Sequence, residues 1–231
     1  MEVKDFRYYE NRGITLRSTP FASLSGRCAM KPRSAGHLHV GGILVTEQPP
    51  KEIWITLAGQ IDQAMVQRVF QFAANATHDQ IDTVHLLVQS GGGFVSDGIC
   101  LFNFLKNLPI NLITYNMGNV SSMAVILYLA AKHRVATENA TFMIHKTHAS
   151  PNPGATASML KEIADSLDID NARTEAILHE SLTLPEEKWV LHQHGNLTFT
   201  AKEAMDFALV HELGNFAPPP GAPLYNITPS P

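Results

Sequence analysis

Residues 84–98, VHLLVQSGGGFVSDG, contain a strand, a glycine loop and the start of a helix. The first five residues, VHLLV, are nearly all apolar, which is typical of a parallel β-strand that is covered on both faces. SGGG follows at 90–93, where glycines allow positive φ and let backbone N–H groups approach a ligand closely. The pattern then predicts a helix over 95–105. A strand, a short loop and a helix in this order predict one unit of an α/β fold.

The same order recurs on both sides of this segment. Upstream, EIWITLA at 52–58 predicts a strand, and the apolar positions of 61–75 predict a helix. Downstream, the predicted elements are a strand at 111–115, a loop at 118–122 (GNVSS), a helix over 122–131, strands around Val135 and at 141–145, and helices over 155–180, near 185–191 and over 200–207. Repeated units of this kind imply a mainly parallel sheet with right-handed crossovers, so we assign the α/β class.

Composition and charge exclude several classes of protein. The net charge of -4 argues against a nucleic-acid-binding protein, which would present a basic face. The longest apolar run, 123–131, is about half as long as a membrane span, so no membrane association is expected. Cys28 and Cys100 cannot form a disulfide framework, which favours the reducing cytoplasm. Charged residues make up only 16% of the chain, which favours an oligomer that buries part of its surface.

The two ends of the chain differ from the domain between them, which spans 51–215. Residues 1–50 are rich in Arg, Ser, Pro and Gly, and no acidic residue occurs from 11 to 46. We expect an N-terminal arm there, and an organelle-targeting segment is the less favoured interpretation. Residues 216–231 are Pro-rich and cannot continue a helix or a central strand, so we expect an extended C-terminal tail.

Three chemically interesting features follow predicted strands: the SGGG loop, Ser122 and His145. Because function gathers at the carboxyl ends of strands in open parallel sheets, we expect all three at the strand ends of one sheet. Each also has an ordinary structural interpretation: a tight turn, a helix N-cap and a buried histidine, respectively. The GxSxG elbow of α/β-hydrolases is absent, since Val120 and Ala124 stand where its glycines would be.

Four segments resemble motifs of the proteolytic subunit of the Clp protease, a serine peptidase of the crotonase-like superfold. SGGGFVSDG at 90–98 resembles the family motif SPGGxxxxG, and GNVSSMAVILYLAA at 118–131 resembles GxAxSMxAxLLxA. FMIHKT at 142–147 resembles MIHxP, and TAKEAMDFALVHEL at 200–213 resembles SAxEAxxYGLxD. Gly91 and Thr147 replace the prolines of the first and third motifs. The resemblance extends from about Ile53 to Leu213. It implies repeated β-β-α units, and a peptidase that uses no metal and no cofactor.

The resemblance implies roles for individual residues. Ser122 resembles the nucleophile, because the family has a methionine directly after it and Met123 follows Ser122; Ser121 is the competing serine. His145 resembles the general base. The backbone N–H groups of Gly93 and Met123 are implied as the oxyanion hole. Such a set hydrolyses peptide bonds through a covalent acyl-enzyme.

The third member of the family's triad is where this sequence departs most. The family's aspartate lies four residues before the serine of its SAxEA segment, and the same count back from Thr200 reaches Asn196. With a gap in the loop, His194 or His192 would take that place. None of these supplies the buried negative charge, whose loss slows catalysis strongly. We therefore expect a slow or conditional peptidase, with an inactive ring subunit of structural or regulatory role as the alternative.

The family assembles into two stacked seven-membered rings that enclose the serines, and an AAA+ unfoldase feeds it protein. The resemblance thus implies a homo-oligomer, an unfolded protein or peptide as substrate, and an unfoldase as a possible partner. The helix over 155–180 is at the position of the family's ring-to-ring handle. Residues 1–50 show no likeness to its axial-pore segment.

Two other kinds of enzyme fit parts of the pattern. An acyl-CoA hydratase or isomerase of the same superfold also uses two backbone N–H groups, but it needs a carboxylate rather than a serine–histidine pair. A Ser–Lys peptidase needs a lysine near Ser122, for which Lys132 and Lys146 are the candidates. Neither lysine matches a strand end facing the serine as His145 does.

Overall fold

The computed structural model describes residues 51–227. The N-terminal arm and its targeting alternative lie outside the described residues. The strands are β1 (Glu52–Ala58), β2 (Thr83–Gln89), β3 (Asn111–Asn116), β4 (Asn119–Ser121), β5 (His133–Ala136), β6 (Thr141–Ile144), β7 (Leu197–Thr200), β8 (Glu212–Leu213) and β9 (Leu224–Ile227). The helices are α1 (Gln63–His78), α2 (Val95–Lys106), α3 (Met123–Tyr128), α4 (Ala157–Ser181), α5 (Glu186–His192) and α6 (Ala201–Asp206).

The strands form a large sheet and a small one. The large sheet has the order β8-β5-β3-β2-β1-β9, and all of its neighbouring strands are parallel. The small sheet has the order β4-β6-β7, in which β4 and β6 are parallel and β6 and β7 antiparallel. The predicted α/β fold with mainly parallel strands is confirmed.

Burial explains why β2 is so apolar. Val84, Leu86 and Val88 belong to the main hydrophobic core. His85 points to the opposite face of the sheet, where its ring stacks on Trp54 with centroids 3.9 Å apart. The strand is therefore covered on both faces, as its sequence predicts.

Helix α3 is the most deeply buried helix of the described part of the chain. None of its six residues, Met123–Tyr128, is more than 4% exposed. It packs against α2, and its first residue directly follows Ser122. The core thus holds the start of this helix rigidly, together with the serine that precedes it.

Two sequence predictions are wrong around residues 118–122. The segment was expected to be a loop, but 119–121 form β4, which pairs with β6 in the register Ser121↔Met143. The glycine loop, Ser122 and His145 were expected at the strand ends of one sheet. Instead, the loop follows β2 of the large sheet, whereas the serine and the histidine follow β4 and β6 of the small one. A single bridge between Ser90 and Val120 brings the two sheets together at this point.

Strands β7, β8 and β9 were not predicted. β9 lies within the Pro-rich C-terminal segment, at the edge of the large sheet, and pairs in parallel with β1. The Trp54 N–H donates a hydrogen bond of 3.0 Å to the Pro223 carbonyl just before this strand. Among residues 51–227, no helix combines the length and the apolar character needed to cross a membrane.

Candidate active site

Ser122 lies at the junction of β4 and α3 in an unusual backbone conformation. Its φ and ψ are 58° and -129°, a region that costs a residue with a side chain roughly 1–3 kcal/mol. Hydrogen bonds on both sides hold this conformation. The Ser122 N–H donates to the Met143 carbonyl (2.7 Å), and the Ser122 carbonyl accepts from the Val125 N–H (2.9 Å). Such strain is characteristic of functional sites.

His145 directly follows β6, the strand next to β4. Its Nε2 lies 2.8 Å from the Ser122 Oγ. Burial lowers the pKa of His145, and the charge of His148 lowers it further, whereas a backbone hydrogen bond at Lys146 acts in the opposite direction. At neutral pH the imidazole is therefore neutral, and its Nε2 can accept the proton of the serine hydroxyl.

The structure distinguishes between the two neighbouring serines. Ser121 is buried, and its hydroxyl donates a hydrogen bond of 2.8 Å to Asn119 Oδ1. Of the two, only Ser122 is hydrogen-bonded to His145 within the described part of the chain. The lysines of the Ser–Lys alternative are placed elsewhere, since Lys146 pairs with Glu175 and Lys132 is exposed.

The glycine loop packs against the start of α3. Gly92 has φ of 103°, and a Cβ at this position would lie 2.7 Å from Ser122 Cβ and 3.0 Å from the Met123 nitrogen. Only glycine fits this conformation at this distance. Gly92 was not singled out as a site residue in the sequence, because its role depends on a contact with residues about thirty positions away.

Two backbone N–H groups at the cavity beside Ser122 have no hydrogen-bond acceptor among residues 51–227. The bridge between Gly93 and Ile61 uses the Gly92 carbonyl and the Phe94 N–H, both at 2.9 Å, which leaves the Gly93 N–H outside the ladder. Within residues 51–227, neither this N–H nor that of Met123 donates a hydrogen bond. Two such donors beside a serine hydroxyl are the arrangement that an oxyanion hole requires.

A cavity of about 590 Å³ opens onto these groups. Ser122, His145, Gly93 and Met123 all line it. Much of the remaining wall is apolar and comes from the segment before α2 and from α2, α3 and α4: Phe94, Val95, Ile126, Ile163, Leu167 and Leu178. The cavity can therefore hold an apolar side chain beside the serine–histidine pair.

The residues considered for the third triad position do not bind His145. The β6–β7 register pairs Ile144 with Leu197, so one step further places Asn196 across from His145. Asn196 and His194 are exposed, and neither is hydrogen-bonded to His145. His192 is buried at 1% exposure, with its Nε2 4.0 Å from Glu175 Oε1.

In the part of the chain that the structure describes, no carboxylate takes the place of the missing aspartate. Within the described residues, no carboxylate lies within ion-pair distance of His145, whereas His85, His133 and His192 each have one. His145 therefore has no acidic partner among residues 51–227.

The sequence of this chain is similar to the sequences of several known proteins. The family described as Clp protease matches residues 43–215. ATP-dependent Clp protease proteolytic subunit 3 of Rhodococcus jostii is 28% identical over 159 residues, which are 68% of this chain and 78% of that protein. ATP-dependent Clp protease proteolytic subunit 2 of Pseudomonas aeruginosa is 24% identical over 188 residues, which are 79% of this chain and 92% of that protein.

A solved structure has the same fold. A mutant of ClpP1 from Listeria monocytogenes superposes with a TM-score of 0.61 at 20% sequence identity. The likeness covers 69% of this chain and 90% of that one.

Proposed function

The chain belongs to the Clp protease family, and from this we propose that it is a serine endopeptidase that hydrolyses peptide bonds inside an oligomeric chamber. In this proposal Ser122 is the nucleophile and His145 is the general base. The N–H groups of Gly93 and Met123 form the oxyanion hole. The observation that carries the proposal is the 2.8 Å contact between Ser122 Oγ and His145 Nε2.

The reaction begins when the Ser122 hydroxyl attacks the carbonyl carbon of the substrate. His145 Nε2 takes the hydroxyl proton as the Oγ–C bond forms, and the carbonyl oxygen becomes an oxyanion. The two N–H groups bind this oxyanion, and each such donor contributes roughly 3–4 kcal/mol to lowering the barrier. The oxyanion then collapses and the scissile C–N bond breaks, while the imidazolium protonates the leaving amine; an acyl-enzyme remains on Ser122.

Water completes the cycle. His145, now neutral again, takes a proton from a water molecule that attacks the acyl carbon. The collapse of the second oxyanion breaks the Oγ–C bond and returns the proton to Ser122. No metal or cofactor takes part in the proposed steps.

The experiment that tests this function is labelling with a fluorophosphonate probe, which reacts with activated serines. We expect the wild type to be labelled and Ser122→Ala and His145→Ala not to be, with each protein sized by gel filtration in the same run. Ser121→Ala is the matched control and is expected to keep its label. A wild type that is unlabelled in every assembly state would overturn the proposal.

The alternative is a ring subunit with little or no activity and a structural or regulatory role. It is favoured by one observation, the lack of a carboxylate beside His145 in the described part of the chain. A large assembly whose Ser122 never reacts would support this alternative. A labelled serine with slow peptide hydrolysis would instead identify a weak peptidase.

The partners and the location belong to the same proposal. By analogy with the family, we expect a homo-oligomer of stacked rings and unfolded protein or peptides as substrates. A separate AAA+ unfoldase would supply the ATP dependence. The proposed place of action is the cytoplasm. Co-elution of the large assembly with an unfoldase would test the partner independently of the chemistry.

A further inference from the structure

We propose that Asn171 on α4 is a positioning residue, which holds the segment that carries His145 in the place where the imidazole meets Ser122. This inference rests on the proposed function, in which His145 is the general base. Asn171 does not line the cavity beside Ser122, so its role is to act through the backbone.

The direct observation is a hydrogen bond at the residue two positions after His145. The Thr147 N–H donates to the side-chain oxygen of Asn171 at 2.7 Å. β6 ends at Ile144, and residues 145–150 have no regular secondary structure. The hydrogen bonds of the sheet therefore do not extend to His145 and Thr147. Instead, the Thr147 N–H is bonded to Asn171 on α4.

A second contact lies one helical turn further along α4. Lys146 Nζ forms an ion pair with Glu175, which also accepts a hydrogen bond of 3.1 Å from Gln193. Burial alone would raise the pKa of Glu175, but the hydrogen bonds from Lys146 and Gln193 lower it, so the carboxylate is ionised. Because residues i and i+4 lie on one face of a helix, Asn171 and Glu175 face the same segment.

Helix α4 is well anchored where it makes these contacts. Its buried residues are Thr174, Ile177 and Leu178, all within two turns of Asn171. Leu178 and Ile177 belong to the main core. The part of α4 that binds residues 146–147 is therefore held rigidly by the core.

The missing carboxylate makes this support important. In a complete triad, an aspartate on Nδ1 orients the imidazole. Within residues 51–227, no carboxylate pairs with His145, so its orientation depends on the backbone of residues 145–147. Residue 147 is a threonine where the motif MIHxP has proline, and proline has no N–H to donate. The bond to Asn171 is thus a feature of this chain's own sequence.

Four variants test the proposal. Asn171→Leu keeps the size of the side chain and removes the acceptor, whereas Asn171→Asp keeps an acceptor oxygen. Thr147→Pro removes the donor and is also combined with Asn171→Leu. Asn103→Leu, on the exposed face of α2, is the matched control for the same substitution elsewhere.

The measurements are kcat and KM on a peptide substrate, the rate of fluorophosphonate labelling, and hydrogen exchange at the Thr147 amide. For Asn171→Leu we expect kcat and the labelling rate to fall about tenfold, the equivalent of one hydrogen bond, with KM unchanged within about twofold. Asn171→Asp is expected to restore most of the rate. Adding Thr147→Pro to Asn171→Leu should cause no further loss, because both remove the same bond. The Thr147 amide should exchange faster in Asn171→Leu than in the wild type.

Several results would overturn the inference. They are a wild-type rate in Asn171→Leu, a loss equal to that of Asn103→Leu, a failure of Asn171→Asp to restore the rate, or additive losses in the double variant. An unlabelled wild type would instead contradict the proposed function. In that case, hydrogen exchange still tests whether the Thr147 N–H is bonded to Asn171. A Thr147 amide that is unprotected in the wild type would show that this bond does not form.

Discussion

At the scale of single residues, the candidate site contains a neutral imidazole, His145, which has no acidic partner among residues 51–227. Burial and the charge of His148 both lower the pKa of His145, whose ring centroid lies 5.3 Å from that of His148. Because this pKa is depressed, the imidazole stays neutral, and able to accept a proton, down to a lower pH than an ordinary histidine. Because no carboxylate pairs with His145 among residues 51–227, the imidazole also lacks the stabilisation that an aspartate gives to an imidazolium in a triad.

The pH dependence follows from this direction. Since the pKa of His145 is below its usual value of 6.5, the labelling rate at pH 6.5 should exceed half of its plateau and fall at lower pH. His148→Gln removes a positive charge that opposes protonation of His145, so the pKa of His145 should rise. The fall of the labelling rate on the acid side of the pH profile should then move to higher pH. The measurement is the labelling rate between about pH 5 and 8. His78→Gln is the control, because His78 lies at the end of α1. An acid limb that does not move in His148→Gln would contradict the assignment.

A carboxylate at position 196 should make the site more active. The last pair of the β6–β7 ladder is Ile144 with Leu197, and His145 and Asn196 are the residues next to this pair, so Asn196→Asp adds a negative charge close to the position of a triad aspartate. A triad aspartate contributes about 10⁴-fold to kcat, and we expect Asn196→Asp to gain at least about tenfold of this, with the acid limb shifted to higher pH. The measurement is kcat for peptide hydrolysis, compared between Asn196→Asp and Asn196→Leu. Equal rates in the two variants would show that position 196 does not reach the imidazole.

At the scale of the elements, the site is formed where the segments that follow β2, β4 and β6 come together. Ser122 follows β4 and His145 follows β6, and the loop after β2 brings Gly93 to the same cavity. α4 closes the cavity and binds the residues after His145. Chemistry at this site therefore requires the large sheet, the small sheet and α4 to be packed correctly at the same time.

The glycine loop offers a matched pair of substitutions. Gly92→Ala would place a Cβ 2.7 Å from Ser122 Cβ at a φ of 103°, whereas a Cβ at Gly91 would have no atom within 4 Å. We expect Gly92→Ala to lower the free energy of unfolding by about 1–3 kcal/mol and to abolish labelling. Gly91→Ala should change the free energy of unfolding by no more than about 0.5 kcal/mol. Denaturant unfolding and probe labelling of both variants provide the measurement. Equal stabilities would be incompatible with the close packing of Gly92 on Ser122.

At the scale of the whole molecule, the C-terminal segment completes the large sheet. β9 adds an edge strand to β1, and Phe216 packs edge-on against Trp54 and Tyr115 with ring centroids 5.1 and 5.3 Å away. His85 joins the same cluster through its stack on Trp54 and a 2.8 Å contact between its Nδ1 and the Tyr115 hydroxyl. This aromatic cluster covers the face of the sheet that points away from the main core.

Removal of one ring from this cluster tests its contribution to stability. Phe216 is only half-buried, so Phe216→Ala should lower the free energy of unfolding by about 1–2 kcal/mol, less than a fully buried phenylalanine contributes. Leu224→Ala is the control, because Leu224 is 57% exposed. Thermal or denaturant unfolding measures both. If Phe216→Ala were no less stable than Leu224→Ala, the segment would not stabilise the sheet.

Much of the fold could be predicted from local patterns. The apolar run of β2 and the helical spacing of α1 are properties of neighbouring residues, and the structure has these elements close to the predicted bounds. β4 and β9 could not be predicted in this way. Asn119–Ser121 is only three residues long and becomes a strand because β6 pairs with it, and Leu224–Ile227 follows a run of prolines and depends on β1.

The sequence by itself determined the α/β class, the family resemblance and the candidate residues Ser122, His145, Gly93 and Met123, because motifs and periodicity are local. Only the tertiary structure decided that Ser122 rather than Ser121 meets His145. It also placed the two free N–H groups beside the serine, left the imidazole without an acidic partner in the described part of the chain, and brought Asn171 to Thr147. The physical reason is that these contacts join residues 23 and 24 positions apart. Side-chain packing between elements sets such distances, and no local pattern records them.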